Sequence, residues 1–142
     1  MRRGFWKDSE NGMVDGVTAL TLLLVFIGGG AGAACRYGIG RLVGRAYHGA
    51  FPLATVAINV SGCFAIGLLL TLLARTYHDV ALPSALLATG FLGGYTTFST
   101  YALESVVLHA DGKALLALVN LGGSVAAGLL AGGAGAGVAR LL

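Results

Sequence analysis

Four long stretches without a charged residue constrain the fold of this chain more than any other feature. Charged residues bound each stretch, and the stretches are residues 16–35, 46–74, 80–103 and 114–139. About 20 apolar residues in an α-helix are needed to cross the hydrocarbon core of a bilayer. The sequence therefore predicts an all-α membrane protein with four transmembrane helices. We place them near residues 17–43, 53–74, 83–108 and 113–141.

The composition agrees with a lipid environment. Charged residues make up 11% of the chain, whereas soluble domains carry about 25%. The nine Lys and Arg residues are scattered, so they do not form the clustered basic face that binding to nucleic acid requires. We predict that Cys35 and Cys63 are packed free thiols, because two isolated cysteines form neither a disulfide framework nor a metal site.

The first 15 residues are polar and mixed in charge, and we predict that they form a tail outside the membrane. The run from Ala31 to Cys35 is also similar to a lipoprotein cleavage site. Acidic residues ahead of the apolar run, and the lack of a soluble domain after it, disfavour cleavage. We therefore divide the chain into a tail, residues 1–15, and a four-helix transmembrane domain, residues 16–142.

The basic residues that flank the predicted helices give a weak orientation signal. Arg36 is left out because it lies too deep. Five basic residues lie on the side of the tail and three on the other: Arg2, Arg3, Lys7, Arg75 and Arg140 against Arg41, Arg45 and Lys113. Lys and Arg favour the cytoplasmic side, but this difference is too small to set an orientation. Both a dual-topology protein, paired as an inverted dimer, and a single orientation with the tail inside stay open at this point.

Glycines spaced four residues apart predict close contacts between helices. The pairs are Gly28 and Gly32, Gly40 and Gly44, Gly128 and Gly132, and Gly133 and Gly137. Small residues at this spacing let helix backbones touch in a membrane. Because four helices do not easily surround a polar path and also cover it from lipid, we expect an oligomer.

Residues 90–101 place glycines, hydroxyls and aromatic rings in the middle of the third predicted helix. Irregular backbone at membrane depth is tolerated only where protein or water covers it. The adjacent Gly93 and Gly94 therefore predict a helix break, with the residues from Thr96 to Tyr101 lining something polar. Carbonyls at such a break can coordinate Na⁺, and Gly93 and Thr96 could present theirs together.

Three side chains near this break have two interpretations each. Asn59, near the centre of the second helix, needs a partner; it is either a link between helices or a pore-lining amide offered to an anion. Thr55 extends a polar stripe one turn before it. Phe98 and Tyr101 share a helical face if the helix resumes after Thr96. Their rings either pack in a core or turn their positive edges toward an anion.

Two charged residues fall near predicted helix ends. Arg36 either reaches the surface by snorkelling or is held in the protein, where it attracts an anion or ties down the broken helix. Glu104 is most simply an interfacial carboxylate. The sequence has no metal-ligand spacing, phosphate-binding loop, nucleophile motif or paired carboxylates, so we do not expect an enzyme.

Three motifs give the chain a resemblance to the Fluc (CrcB) fluoride channels of bacteria over residues 20–142. They are Gly28 to Ala33 with Arg36-Tyr37; Asn59-Val60 with Gly62, Phe64 and Gly67; and Gly90 to Tyr101 followed by Glu104. The resemblance implies passive, fluoride-selective efflux across the inner membrane, which protects the cell from fluoride, through two pores of an inverted homodimer. It also implies a structural Na⁺ at the dimer centre, held by the carbonyls of Gly93 and Thr96. Because all three motifs are present, we expect a homodimer and not a heterodimer.

The resemblance also implies roles for single residues. Asn59 matches the pore asparagine, and Phe98 matches the first phenylalanine of an aromatic box. Tyr101 stands where the second phenylalanine is usual, which leaves the effect of that position on conduction open. On the fourth helix, Asn120 and Ser124 are the polar candidates. With Arg36 as a structural residue, we assign these residues to the anion pathway: Asn59, Thr97, Phe98, Thr100, Tyr101, Glu104 and Ser124.

Two other functions fit parts of the sequence. A small dual-topology multidrug exporter has the same helix number and a weak charge bias. It needs a membrane-embedded carboxylate to exchange protons for a drug, but the first helix has none and Glu104 lies late in the third. A purely structural subunit would leave Asn59 and the hydroxyls of residues 96–100 without a task.

Overall fold

A computed structural model describes residues 19–76 and 80–142, and every regular element in these ranges is helical. The predicted tail, residues 1–15, lies outside the described residues. Helix α1 spans Ala19–Ala46, and α2 spans Leu53–Thr76. Helix α3 consists of Ala81–Pro83, the π-helical segment Ser84–Leu92, and Gly93–Tyr95. Helix α4 spans Phe98–Ala110, and α5 consists of Ala114–Leu118, the π-helical segment Val119–Gly123, and Ser124–Leu141.

Three of these helices, α1, α2 and α5, are long and apolar enough to cross a membrane. Their outward surfaces carry large apolar side chains that are more than half exposed, such as those of Leu22, Phe26, Leu115, Leu129 and Leu130. Monomeric soluble proteins rarely expose large contiguous apolar surfaces. The predicted all-α membrane fold is confirmed at this level. The third predicted helix is divided into α3 and α4, so neither half reaches the same length.

The division between α3 and α4 lies at Thr96 and Thr97, three residues after the predicted break at Gly93-Gly94. Gly93 has helical backbone angles (φ −64°, ψ −40°), whereas Thr96 and Thr97 are extended, with ψ of 161° and 115°. The prediction of a break is therefore correct, but its position is wrong. Gly94 serves packing instead, because a Cβ there would overlap the backbone of Gly29 in α1. Threonine accepts extended backbone readily because it is β-branched.

Helix α1 packs against α3 through glycines. A Cβ on Gly28 would overlap the carbonyl oxygen of Leu86, and a Cβ on Gly32 would overlap that of Phe91. Only glycine allows the two backbones to approach this closely. The predicted role of this pair in helix packing is confirmed within the chain.

Helix α2 packs against α5 in the same manner. A Cβ on Gly67 would overlap the carbonyl oxygen of Gly132, and a Cβ on Gly135 would overlap that of Phe64. Beneath the break, Ile58 of α2 packs with Leu92 and Tyr95 of α3 in a small buried core. For two of the predicted pairs, Gly40 with Gly44 and Gly133 with Gly137, an added Cβ has no atom within 4 Å among the described residues outside its own stretch of helix. Their role in packing therefore stays a prediction.

The close approach at Gly32 gives a stability prediction. Gly32→Ala is expected to destabilise the protein by about 1–3 kcal/mol, because the new methyl group forces α1 away from rigid backbone in α3. The measurement is the unfolding midpoint of the purified protein in detergent. Gly30→Ala is the matched control on the same helix, since an added Cβ there has nothing within 4 Å among the described residues beyond its own stretch of helix. Equal midpoints for the two variants would contradict the packing role of Gly32.

Candidate functional site

The side chain of Asn59 in α2 holds the break. Its Nδ2 donates to the carbonyl oxygen of Thr97 at 3.0 Å, and its Oδ1 accepts from the backbone N–H of Thr97 at 2.8 Å. These bonds satisfy backbone groups that the interruption removes from the helical ladder. Among the described residues the second Nδ2 hydrogen has no acceptor, so the amide links two helices and keeps one donor.

Threonine hydroxyls complete the local structure of the break. The Oγ1 of Thr96 donates to the carbonyl of Leu92 at 3.0 Å. The Oγ1 of Thr97 accepts from the backbone N–H of Thr100 at 3.2 Å and donates to its hydroxyl at 2.9 Å. Thr97 is therefore the N-cap of α4, a position at which threonine is favoured because its oxygen accepts from the first turn.

The carbonyls of Gly93 and Thr96 are among the backbone carbonyls that lose their helical donors at the break. In an uninterrupted α-helix the carbonyl of residue i accepts from the N–H of residue i+4. The N–H of Thr97 is directed to Asn59 instead of Gly93, and the N–H of Thr100 is directed to the Thr97 hydroxyl instead of the Thr96 carbonyl. No described residue donates to either carbonyl. These are the two carbonyls that the sequence singled out for Na⁺.

The rings of Phe98 and Tyr101 lie on one face of α4, as their spacing predicts. Their centroids are 5.6 Å apart and their planes are tilted by 48°. Phe98 is 79% exposed, whereas Tyr101 is only 8% exposed and donates its hydroxyl to the carbonyl of Leu121 in α5 at 2.8 Å. The single hydroxyl hydrogen of Tyr101 is therefore directed toward α5, and what the residue offers to its surroundings is its ring.

A cavity of about 370 Å³ lies beside these rings, and we call it the ring cavity. It is wide open on one side, where the exposed ring of Phe98 stands. Both carbonyl-bearing residues of the break, Gly93 and Thr96, are on its wall. The other polar or aromatic residues that line it are Asn59, Cys63, Thr97, Phe98, Tyr101 and Ser124.

A second cavity, of about 500 Å³, lies on the other side of Thr97, and we call it the charged cavity. Arg36, Thr55, Thr100 and Glu104 line it together with Thr97. Thr55 donates its hydroxyl to Oε1 of Glu104 at 2.9 Å. The Oε2 of Glu104 and the Nε of Arg36 are buried without a hydrogen-bond partner among the described residues. The structure therefore places Glu104 against α2, inside a cavity that it shares with a guanidinium group.

The structure brings the predicted pathway residues into two adjoining groups. Every one of them lines the ring cavity or the charged cavity, and Thr97 lines both. Of the two candidates on the last helix, Ser124 lines the ring cavity, whereas Asn120 has no exposed surface. Both cysteines are free thiols, but the prediction that they are packed is wrong for Cys35, which is exposed in the single chain, whereas Cys63 is half-buried.

The sequence reasoning missed two polar contacts. Ser61 in α2 and the hydroxyl of Tyr95 in α3 form a hydrogen bond of 2.8 Å just before the break. Ser105 in α4 receives a hydrogen bond from the Asn120 amide at 2.8 Å. Its position four residues after Tyr101, on the same helical face, was the available signal.

Long apolar helices, an interrupted helix and polar residues gathered at the interruption define a multi-pass helical membrane protein. Among the described residues no group of three or more His, Cys, Asp or Glu side chains could hold a metal ion.

Comparison with known proteins identifies the family. Residues 23–136 match the family described as "CrcB-like protein, Camphor Resistance (CrcB)". "Fluoride-specific ion channel FluC 2" of Brucella abortus is 46% identical over 127 residues, which cover 88% of this chain and 98% of the relative. "Fluoride-specific ion channel FluC" of Paracoccus denitrificans is 45% identical over 120 residues, 84% of this chain and 94% of the relative. The chain belongs to the CrcB family and is a multi-pass bacterial membrane protein.

Proposed function

We propose that this protein is an ion channel that lets fluoride leave the cell passively across the inner membrane, and that it is not an enzyme. The observation that carries the proposal is the identity of about half of the aligned residues with relatives named fluoride-specific ion channels, over nearly the full length of those relatives. The same comparisons give no support to a multidrug exporter.

The ring cavity offers the chemistry that a small anion needs. Fluoride must exchange its hydration shell for donors in the protein, and the binding must be weak enough for release. The second Nδ2 hydrogen of Asn59 is available as a donor, and the rings of Phe98 and Tyr101 carry positive edges. The Ser124 hydroxyl donates its hydrogen to Asn120 at 3.1 Å. It therefore makes the wall of the cavity polar but has no hydrogen left to donate to the anion.

The charged cavity continues this pathway on the other side of Thr97. Its hydroxyls, those of Thr55, Thr97 and Thr100, extend the polar lining as far as Glu104. Arg36 has a structural role in this proposal. A guanidinium group in the same cavity offsets the charge of the Glu104 carboxylate, although the two groups do not form an ion pair within 4 Å.

We propose an inverted homodimer in which each chain crosses the membrane four times, with α3 and α4 together forming the third crossing. The support is the incomplete enclosure of the ring cavity in one chain, because the Phe98 ring is exposed at its open side. A second copy, related by a twofold axis in the membrane plane, would cover this side.

Dual topology predicts that the C-terminus of this protein occurs on both sides of the membrane. Two reporters, one active only in the cytoplasm and one only in the periplasm, are fused to Leu142 in separate fusion proteins. Both fusions are expected to be active. Activity from one fusion alone would contradict dual topology and would leave a single orientation.

We propose that the carbonyls of Gly93 and Thr96 coordinate a structural Na⁺ at the dimer centre. The support is their lack of hydrogen-bond donors at the break. Two such pairs facing each other would repel unless a cation lies between them.

This proposal predicts that Na⁺ stabilises the dimer. A ligand that binds only the folded state raises stability by about 2.7 kcal/mol at 100 times its Kd. The unfolding midpoint of protein purified without Na⁺ is therefore expected to rise when NaCl is added. N-methyl-D-glucamine chloride at equal ionic strength is the control, and equal midpoints in the two salts would contradict a Na⁺ site.

The proposed function is tested by fluoride efflux from liposomes that contain the purified protein. The liposomes are loaded with potassium fluoride, and a potassium ionophore removes the electrical limit on efflux. A fluoride electrode should record rapid release from these liposomes and no release from protein-free liposomes. Chloride-loaded liposomes should release far less anion. Absence of fluoride release from a well-folded preparation would refute the function.

A further inference from the structure

A buried polar cluster joins α4 to α5 behind the ring cavity. Asn120 is 0% exposed, and its Nδ2 donates to Oγ of Ser105 at 2.8 Å. Its Oδ1 accepts from Oγ of Ser124 at 3.1 Å. Ser105 in turn donates its hydroxyl to the carbonyl of Tyr101 at 2.9 Å. We call these four residues, Tyr101, Ser105, Asn120 and Ser124, the Asn120 cluster.

Tyr101 forms hydrogen bonds both through its backbone carbonyl and through its ring hydroxyl. Its carbonyl accepts from Ser105 and, at 3.5 Å, from Asn120. Its hydroxyl donates to the carbonyl of Leu121, which lies inside the π-helical segment Val119–Gly123 and follows Asn120 directly. Short π-helical segments within α-helices occur frequently at functional sites. Asn120 lines neither cavity, so the pathway itself does not account for a fully buried amide at this position.

We infer that Asn120 and the hydroxyl of Tyr101 are positioning residues that fix the orientation of the Phe98 and Tyr101 rings toward the anion. The inference rests on the proposed function. An aromatic ring attracts an anion at its edge and repels it at its face, so a modest rotation of either ring changes the sign of the interaction. A buried polar network in which every member is satisfied rigidifies its surroundings. This one ends on the backbone carbonyl of Tyr101. The ring of Tyr101 contacts Phe98 and is held by the hydrogen bond from its hydroxyl to Leu121, the residue after Asn120.

The test uses Asn120→Leu and Tyr101→Phe in the reconstituted full-length protein. Two quantities are measured: fluoride efflux per folded protein, and the reversal potential in planar bilayers with fluoride on one side and chloride on the other. Asn120→Leu is expected to lower fluoride efflux about tenfold and to shift the reversal potential toward zero. The variant loses three hydrogen bonds, which loosens both the backbone of Tyr101 and the segment that carries the Leu121 acceptor of its hydroxyl. Tyr101→Phe is expected to lower fluoride efflux about threefold and to shift the reversal potential in the same direction. The effect is smaller because the hydrogen bonds of Ser105 and Asn120 to the Tyr101 carbonyl remain.

Arg75→Met is the matched control. Arg75 of α2 donates to the carbonyl of Ala139 in α5 at 2.7 Å, so this variant also removes a hydrogen bond to α5, but far along the helix from both cavities. It is expected to lower stability and to leave the reversal potential unchanged. If Asn120 contributes only to stability, Asn120→Leu will likewise lower stability and leave the reversal potential unchanged.

The outcomes separate this inference from the proposed function. Wild-type protein without fluoride efflux overturns both. If the wild-type protein releases fluoride but both variants keep the wild-type reversal potential, the positioning role is overturned and the proposed function stands. If Asn120→Leu does not yield a folded dimer, Tyr101→Phe decides, because it removes a single oxygen: a shifted reversal potential supports the inference, and an unchanged one overturns it.

Discussion

Asn59→Leu is expected to reduce fluoride efflux at least about 100-fold, which corresponds to about 2.7 kcal/mol. The variant keeps the size of the side chain but removes both hydrogen bonds to Thr97. An unpaired backbone group in a buried setting costs about 1–3 kcal/mol, and here an N–H and a C=O would both lose their partner. The same change removes the donor that Asn59 offers to the ring cavity. Efflux from liposomes, normalised to the amount of folded protein, is the measurement.

Ser61→Ala is the matched control for Asn59→Leu. Ser61 lies on the same helix, half a turn later, and its hydroxyl bonds Tyr95 in α3, but it lines neither cavity. The control therefore removes a hydrogen bond between α2 and α3 without touching the pathway. Its efflux should stay within about threefold of wild type. Wild-type efflux from Asn59→Leu would remove Asn59 from the pathway and would show that Thr97 does not need the amide.

Phe98→Ile is expected to stop fluoride efflux, with a loss of at least about 100-fold, while the protein elutes in gel filtration at the same volume as the wild type. Isoleucine preserves an apolar side chain at the start of α4 but has no aromatic edge. Phe98 is also 79% exposed in the single chain, so the substitution leaves no void in the core of that chain. The fluoride electrode assay measures the effect.

Phe91→Ile is the control for Phe98→Ile. Phe91 stacks on Tyr95 with centroids 6.0 Å apart and lines neither cavity. This variant is expected to lower the unfolding midpoint but to retain most of the efflux per folded protein. Efflux by Phe98→Ile at the wild-type rate would exclude the Phe98 ring from the pathway.

The bounds of the long helices could be predicted from the sequence because charge and hydropathy determine which segments lie in the membrane. Long uncharged windows have few alternatives to helix in a membrane, and the observed bounds of α1, α2 and α5 lie close to the expected ones. The break was misplaced because glycine has two uses that look alike in a sequence. Gly94 allows close approach to Gly29, and the extended backbone falls on two threonines whose hydroxyls satisfy the local hydrogen bonds.

The hydrogen-bond partners of the polar residues could not be predicted from patterns in the sequence. Asn59 was expected to need hydrogen bonds, but its partner lies 38 positions later in the chain, and only the packing of α2 beside the break brings the two together. The same holds for Tyr101, whose hydroxyl appeared as an unexplained departure from the family pattern. Its acceptor is a backbone carbonyl of α5, and no side chain marks that position in the sequence.

The interruption at Thr96 and Thr97 has an electrostatic consequence. Helix α3 ends and α4 begins within three residues of each other, so the negative end of one helix dipole lies next to the positive end of another. Gly93 and Thr96 are at the carbonyl end of α3, where a cation is favoured. Phe98 is in the first turn of α4, where an anion is favoured. One interruption of the chain can therefore favour ions of opposite sign at neighbouring positions without placing a formal charge there.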